Sequence, residues 1–455
     1  MANVQDVFEG VKLTENGDIA WSTTGERYSD ILFGAPYIQK NLKELDKYGI
    51  NREDALFAMM MRDPRFGFGY RDLGRELLKR ASATPEEIAK CGRFDDLIYD
   101  FKQTDGKTPN ACYIVSQALA GNELAKKWLP RFGSSKKALA SHIAKAFNLS
   151  KQEYNKLVKA NTTERFLTER QTEKINFSQV PSLASIKYSK RFATGKDTSE
   201  RYLKWKDDVA AGTAKVNTSV TTCYDIYKNV GKEGFDPDLF FDKLEKISLS
   251  VLPIIDSSGS MENSFDAFGK ALSIGHYLAK CSTYIPGGAL SFSSKPAFLN
   301  VNKEIKDYDS YWVNTSYLNK WKNSNYGREM SNLYTGDCAN TDFKKVMDLM
   351  KQVDEFPEYI VVLSDMEFDH GSNQSLKEVE ELWKANNCNT KIIWWNFNDR
   401  RITTPEKVGA GNIFMSGYSP VLLKFLEAGF DSTKFIDKLL KEYQKKLKTF
   451  ASQDI

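Results

Sequence analysis

Leu252-Pro253-Ile254-Ile255-Asp256-Ser257-Ser258-Gly259-Ser260-Met261 is the stretch on which the reading of this chain turns. An apolar run of strand length ends in Asp-x-Ser-x-Ser and opens into helical sequence. Three hard oxygen side chains at alternate positions of one loop face a common point, as a small divalent cation such as Mg²⁺ requires; Mn²⁺ and Ca²⁺ accept the same oxygen donors. The spacing also arises in Ser-rich turns, so the rest of the chain has to decide. Tyr359-Ile360-Val361-Val362-Leu363-Ser364-Asp365 is a second apolar strand ending in a carboxylate, and Asn340-Thr341-Asp342 lies between the two strands just before a helical stretch.

The surrounding grammar is that of an α/β sheet. From about 247 onward, apolar runs at Ile247–Ile255, Gly288–Phe292, Tyr359–Leu363, Lys391–Phe397 and Asn412–Met415 alternate with helical stretches near 264–281, 341–353, 375–386 and 418–428. Near-continuous Val/Ile/Leu strands predict a parallel sheet covered on both faces. Ligands of such sheets bind at the carboxyl ends of the strands, where Asp256 and Asp365 fall. Asp256, Ser258, Ser260, Thr341 and Asp365, in that order, resemble the five-residue metal-ion-dependent adhesion site of von Willebrand factor A domains. The resemblance implies that these five residues hold a dication, Mg²⁺ or a close substitute, with a position left for an acidic group of a protein partner. Asp256 also stands where an aspartyl phosphatase has its nucleophile, but Ser258 occupies the place of the second acid such chemistry needs. With no general base beside the ion, the expectation is docking, not an enzyme.

Upstream, from 35 to about 230, apolar residues recur at three- and four-residue spacing, as in Ala138, Leu139, Ile143, Ala144 and Phe147. Thr84-Pro85-Glu86-Glu87 and Ser150-Lys151-Gln152-Glu153 read as helix starts, a hydroxyl followed by acid in the first turn. Short helices with little strand signal predict a stacked, HEAT-like solenoid or ring. The expected organisation is an irregular segment at 1–34, a helical repeat domain at 35–245, an A domain at 246–430 and a last helix at 431–455.

Composition narrows the class. The chain has 455 residues, 64 Lys and Arg against 60 Asp and Glu, and six scattered cysteines with no Cys-x-x-Cys pair. That argues against a disulfide framework or zinc site and fits reduced thiols in a cytoplasm. No run of roughly 18 uncharged apolar residues exists to span a bilayer, so no membrane partner is expected. Charge is uneven: residues 121–215 hold 20 Lys and Arg and 9 Asp and Glu, a net +11, which leaves −7 on the remainder. A basic block beside an acidic remainder reads either as a polyanion-facing surface or as a set of solvated helix faces.

A second resemblance covers residues 13–425. Gly67-Phe68-Gly69-Tyr70-Arg71-Asp72-Leu73-Gly74-Arg75, Cys91-Gly92-Arg93-Phe94-Asp95-Asp96-Leu97-Ile98, Lys127-Trp128-Leu129-Pro130-Arg131 and Ile175-Asn176-Phe177-Ser178-Gln179-Val180-Pro181-Ser182 resemble, as a series, elements of a phage and bacterial family of unknown function. That family is distantly related to the TROVE module of the Ro autoantigen. The resemblance implies a Ro-like ring of helical repeats that binds single-stranded ends or structured small RNA, with the A domain docking a partner. The Gly-rich turn keeps Arg71 and Arg75 but lacks the Lys of the family pattern. Further candidate RNA contacts are Lys136, Lys137, His142 and Lys145 on one helix, then Lys187, Lys190 and Arg191 interleaved with Tyr188 and Phe192. There cations would neutralise phosphates and rings would stack on bases. Tyr188, Phe192 and Trp205 read equally well as core residues. The alternative is a phage or virion-associated protein-interaction component that uses the metal site without RNA, acting in an infected cell's cytoplasm or the particle.

Overall fold

The computed structural model of the chain describes residues 11–16, 18–91, 94–99, 107–263, 266–292, 295–305, 315–335, 342–353, 355–369, 371–386, 388–407, 411–418 and 434–451. It has a largely helical N-terminal half and a six-stranded mixed sheet in the C-terminal half. Two compact units account for it: Met1–Tyr48 with Thr221–Glu442, and Gly49–Val220 with Tyr443–Ile455. The observed divisions thus fall at 48/49, 220/221 and 442/443, against boundaries of 34/35, 245/246 and 430/431 drawn from the sequence.

The first unit is built on strands β3 (Val251–Asp256), β4 (Gly288–Phe292), β5 (Ala297–Asn300), β6 (Tyr359–Ser364), β7 (Lys391–Asn396) and β8 (Asn412–Ser416), in the order β5-β4-β3-β6-β7-β8. All neighbours pair in parallel except β5, which runs antiparallel to β4 at the edge. The β4 register begins at Ile254, just past Pro253, whose nitrogen has no proton to give. Alternation assigns the faces. Leu252, Ile254, Ile360, Val362, Ile392, Trp394 and Phe414 share one core with Phe343, Met347, Leu376 and Trp383 from helices Phe343–Met350 and Ser372–Ala385. On the opposite face, helix Ala267–Cys281 lies so close that a Cβ at Gly275 would meet Ile255 Cδ1 at 2.5 Å. Burial on both faces explains why β3, β4, β6 and β8 are mostly apolar instead of alternating, every residue of each being buried.

Of the segment 1–34, read from the sequence as irregular, the described residues, 11–16 and 18–34, contribute structure to this unit. β1 (Val11–Leu13) and β2 (Ile19–Trp21) form an antiparallel hairpin, and Trp21 exchanges both backbone hydrogen bonds with Thr404 at 2.8 and 2.9 Å. Helix Arg27–Phe33 follows, and its Phe33 carbonyl accepts from Asn396 Nδ2 at 2.9 Å while Leu32 O accepts from the Ser416 hydroxyl. These short elements carry little local signal, because the partners that hold them lie more than 350 residues away. The helical stretch expected at 418–428 lies outside the described residues.

The second unit consists of short helices, several capped as the sequence predicts. Thr84 Oγ1 accepts from Glu87 N while Glu87 Oε2 accepts from Thr84 N, and Ser150 with Glu153 repeats the arrangement. Phe177, Phe192, Tyr202 and Trp205 form its aromatic core, with centroids 5.2–5.9 Å apart. The division between units falls inside helix Phe435–Ala451. From Tyr443 that helix belongs to the helical unit, and the Tyr443 hydroxyl reaches Asp63 Oδ2 at 3.2 Å.

Candidate functional site

The site grows from the carboxyl ends of β3 and β6. Because Ile255 stands opposite Leu363 in register, Asp256 and the step Ser364-Asp365 emerge side by side. Asp256 is fully buried; its Oδ1 accepts from Ser258 N at 2.9 Å and its Oδ2 from Ser364 Oγ at 2.6 Å. Ser258 Oγ lies 3.1 Å from Ser260 Oγ, and the Ser260 side chain in turn neighbours the Asp365 carboxylate. Asp365 is fully buried as well, and it is followed by Met366 in the left-handed region at φ 63°, a conformation that costs energy for a non-glycine residue. Four of the five residues expected to hold a dication therefore meet at one point. The fifth, Thr341, lies outside the described residues; its neighbour Asp342 caps helix Phe343–Met350 through Lys345 N at 3.3 Å.

Electrostatics mark the site more sharply than its geometry. Burial raises Asp256 above the usual carboxylate range, with the Asp365 charge adding to the effect, and burial raises Asp365 too. The counter-charge comes from a segment with no motif of its own, Asn398-Asp399-Arg400-Arg401 after β7. Arg400 NH2 reaches Asp365 Oδ2 at 3.0 Å while its NH1 reaches Glu15 Oε2 at 2.9 Å. Glu367, also buried, collects Asn398 Nδ2 at 2.7 Å, Arg401 Nε at 2.8 Å, Thr403 Oγ1 at 3.1 Å and the backbone nitrogen of Glu15 at 2.7 Å. Among the described residues, three buried carboxylates are thus served by two half-exposed guanidinium groups, one of which is shared with Glu15. The donor set of two carboxylates and two hydroxyls fits a hard dication, and the shortage of positive charge fits its 2+. Among the described residues no group of three or more His, Cys, Asp or Glu could hold a metal, so the serine hydroxyls are essential to this reading. The signal that could have exposed Glu367 is its place two residues after Asp365, the same alternation that singled out Ser258.

The predicted RNA contacts scatter, and one of them is corrected. Arg75 is buried and not surface-facing: Nε bonds Asp96 Oδ1 at 2.6 Å and NH2 bonds Asp95 Oδ2 at 3.1 Å, while Arg62 grips Asp96 from the other side at 2.7 Å. Arg75 and Asp95-Asp96 come from two motifs of the family-like series, so that pairing of motifs builds the fold. Gly67 and Gly74 behave alike, since a Cβ at Gly67 would stand 1.9 Å from Met60 O and one at Gly74 2.7 Å from Arg62 Cα. Arg191 spends its guanidinium on Asp197 at 2.7 and 2.9 Å and on Thr198 at 3.0 Å. Phe192 and Trp205 are buried in the aromatic core, so neither offers a ring face to a base. Arg71, Lys136, Lys137, Lys145, Lys187 and Lys190 are exposed, Lys187 lying over the Tyr188 ring at 5.0 Å, and His142 is half-buried. Helices Lys137–Ala146 and Ser182–Thr194, which carry most of them, do not pack along one another.

Comparison with known proteins adds three findings. A domain of unknown function, DUF7788, matches residues 250–453. An uncharacterized protein, L728, of Acanthamoeba polyphaga mimivirus is 22% identical over 375 residues, 72% of this chain. The match covers 61% of that relative, so the chain spans less than two thirds of its length. The crystal structure of the Ro (RSR) protein of Deinococcus radiodurans aligns over 92% of each chain at 12% identity with a TM-score of 0.40, a likeness too loose to carry an argument. Among the described residues no helix is long and apolar enough to cross a membrane.

Proposed function

We propose that this chain is a non-enzymatic adaptor. Its α/β unit docks an acidic group of a protein partner through a dication of the Mg²⁺ class, and its helical unit binds small or single-stranded RNA. The observation that carries the docking half is the meeting of Asp256, Ser258, Ser260 and Asp365 at the sheet's carboxyl end with too little positive charge to balance them. Thr341 is assigned to the same site by the A-domain resemblance, which the strand order with one antiparallel edge supports. The RNA half rests on charge. The helical unit holds 34 Lys and Arg against 21 Asp and Glu, net +13, while the α/β unit holds 30 against 39, net −9. A unit this basic is suited to a polyanion. The HEAT-like, Ro-like reading of the helices and a cytoplasmic setting, the host's if the chain is viral, belong to the same proposal.

The test is RNA binding by the purified chain at rising salt, with and without Mg²⁺. The reading expects affinity to fall steeply with salt, as counterion release demands, and to be indifferent to Asp256→Asn. Binding that is absent at low salt removes the RNA half. Capture of a carboxylate-bearing partner surface should need both Mg²⁺ and Asp256; capture without either removes the docking half. The second reading, a particle-associated interaction protein without RNA, is favoured by the internal commitment of Arg75 and Arg191, and absent RNA binding with intact Mg²⁺-dependent capture selects it.

A further inference from the structure

Arg400 occupies an odd position for a residue beside a dication site. A buried carboxylate demands a counter-charge, and Asp365 receives one from Arg400 NH2 at 3.0 Å. A dication taking Asp365 Oδ2 as a ligand at about 2.0–2.1 Å would place two positive charges within a few ångströms of the guanidinium. The two cations therefore compete for that carboxylate. Arg400 is not a lone side chain in this respect. Its second arm holds Glu15 Oε2 at 2.9 Å, and Glu15 sits in the turn between β1 and β2. That turn is docked on the segment after β6 by Thr14 Oγ1 to Phe368 O at 2.7 Å, Glu15 N to Glu367 Oε2 at 2.7 Å and Asn16 Nδ2 to Glu367 O at 2.6 Å. Asp365, Arg400, Glu15 and Glu367 so form a continuous ionic and hydrogen-bonded path from the metal site to the N-terminal hairpin.

We propose that Arg400 is the resident counter-ion of Asp365, which a dication must displace, and that its release loosens the N-terminal hairpin through Glu15. The inference rests on the dication reading and adds to it a competitor and a mechanical output. Linkage makes the coupling reciprocal: whatever strengthens the hold of the hairpin on Arg400 weakens the dication by the same factor. A displaced Arg400, 39% exposed at its side chain, is also left beside the ion, where it can contact the acidic group that docks there.

The test is calorimetric titration of Mg²⁺ and Mn²⁺ into the full chain, paired with amide hydrogen exchange at residues 12–21. Arg400→Gln should raise dication affinity about fivefold or more, the lower end of usual coupling strengths. Glu15→Gln should raise it by less, since it only unseats one arm, and Arg400→Lys, which restores the charge, should return affinity toward that of the parent. In the parent, saturating dication should quicken exchange at Glu15; in Arg400→Gln exchange there should be fast with or without it. A parent that binds dication while Arg400→Gln binds equally or more weakly overturns the proposal and leaves the metal site standing. A parent that binds no dication overturns the site and the inference together.

Discussion

The two units each bury a cluster of opposite charges, and the clusters differ in balance. In the helical unit the buried groups stand two against two, Arg62 and Arg75 against Asp95 and Asp96, with the exposed Asp72 a further 3.6 Å from Arg75. In the α/β unit, among the described residues, Asp256, Asp365 and Glu367 face only Arg400 and Arg401, both about a third exposed, and Glu15 competes for Arg400. A balanced buried cluster is complete and holds elements together. On the proposed reading, an unbalanced one at the end of a parallel sheet is where a cation would bind. The same residue types would then serve architecture in one unit and ligand chemistry in the other.

The sharpest way to break the comparison is to unbalance the helical cluster. Asp96→Ala strands the buried Arg62 guanidinium and leaves Arg75 with Asp95 and Asp72, and should destabilise the chain by about 3–5 kcal/mol in urea unfolding. A loss under about 1 kcal/mol, the range of exposed pairs, would mean that the quartet is no more than a surface network. Next in size is Gly67→Ala, whose Cβ would press on Met60 O; overpacking of about 1–3 kcal/mol is expected, with RNA affinity unchanged per folded molecule. Selective loss of RNA binding at full stability would instead return that motif to the interface.

A third prediction concerns pH. Burial, with the neighbouring Glu406 carboxylate next, holds Glu380 up to about 7 from an ordinary 4.5. Glu406 is itself held by Trp394 Nε1 and Asn412 Nδ2, each at 2.8 Å. Between those pH values the native chain keeps a proton that the unfolded chain has lost. The stabilising contribution of Glu380 is whole below the unfolded value and is lost as pH rises through about 7. Thermal melts should show this decline, and Glu380→Gln should flatten it; a variant as pH-dependent as the parent refutes the assignment. The smallest effect is expected on the exposed face. Lys137→Ala should change stability by less than about 0.5 kcal/mol yet lower the salt slope of RNA binding by about 0.7–0.9 for the one phosphate contact removed.

Much of the α/β unit was legible because its signals are local. Val251–Asp256 and Tyr359–Ser364 announce themselves as buried runs, and Asp256, Ser258 and Ser260 sit within five residues. β5 escaped because it is four residues long and partly exposed at an antiparallel edge, so Ala297-Phe298-Leu299 is too short an apolar run to signal a buried strand. Arg400 and Glu15 escaped for a different reason. An arginine 35 residues beyond its carboxylate and a glutamate 350 before it have no shared spacing, and only the sheet's crossovers bring them together. In the helical unit the reading overreached in the opposite sense. Arg71 and Arg75 after a Gly-rich turn read as candidate RNA contacts, yet Gly74 is small to let Arg62 approach, and Arg75 is cationic to meet Asp96. Without coordinates, a cation that closes an internal cluster is indistinguishable from one that faces solvent.

The most direct test of the account is the stoichiometry and affinity of Mn²⁺ or Mg²⁺ for the purified chain by calorimetry, repeated on Ser260→Ala and Asp365→Asn. One dication per chain, weakened at least tenfold in both variants while their metal-free melting temperatures hold, is the outcome the unbalanced cluster requires. A chain that takes up no dication at millimolar concentration, or one whose uptake ignores both substitutions, contradicts it.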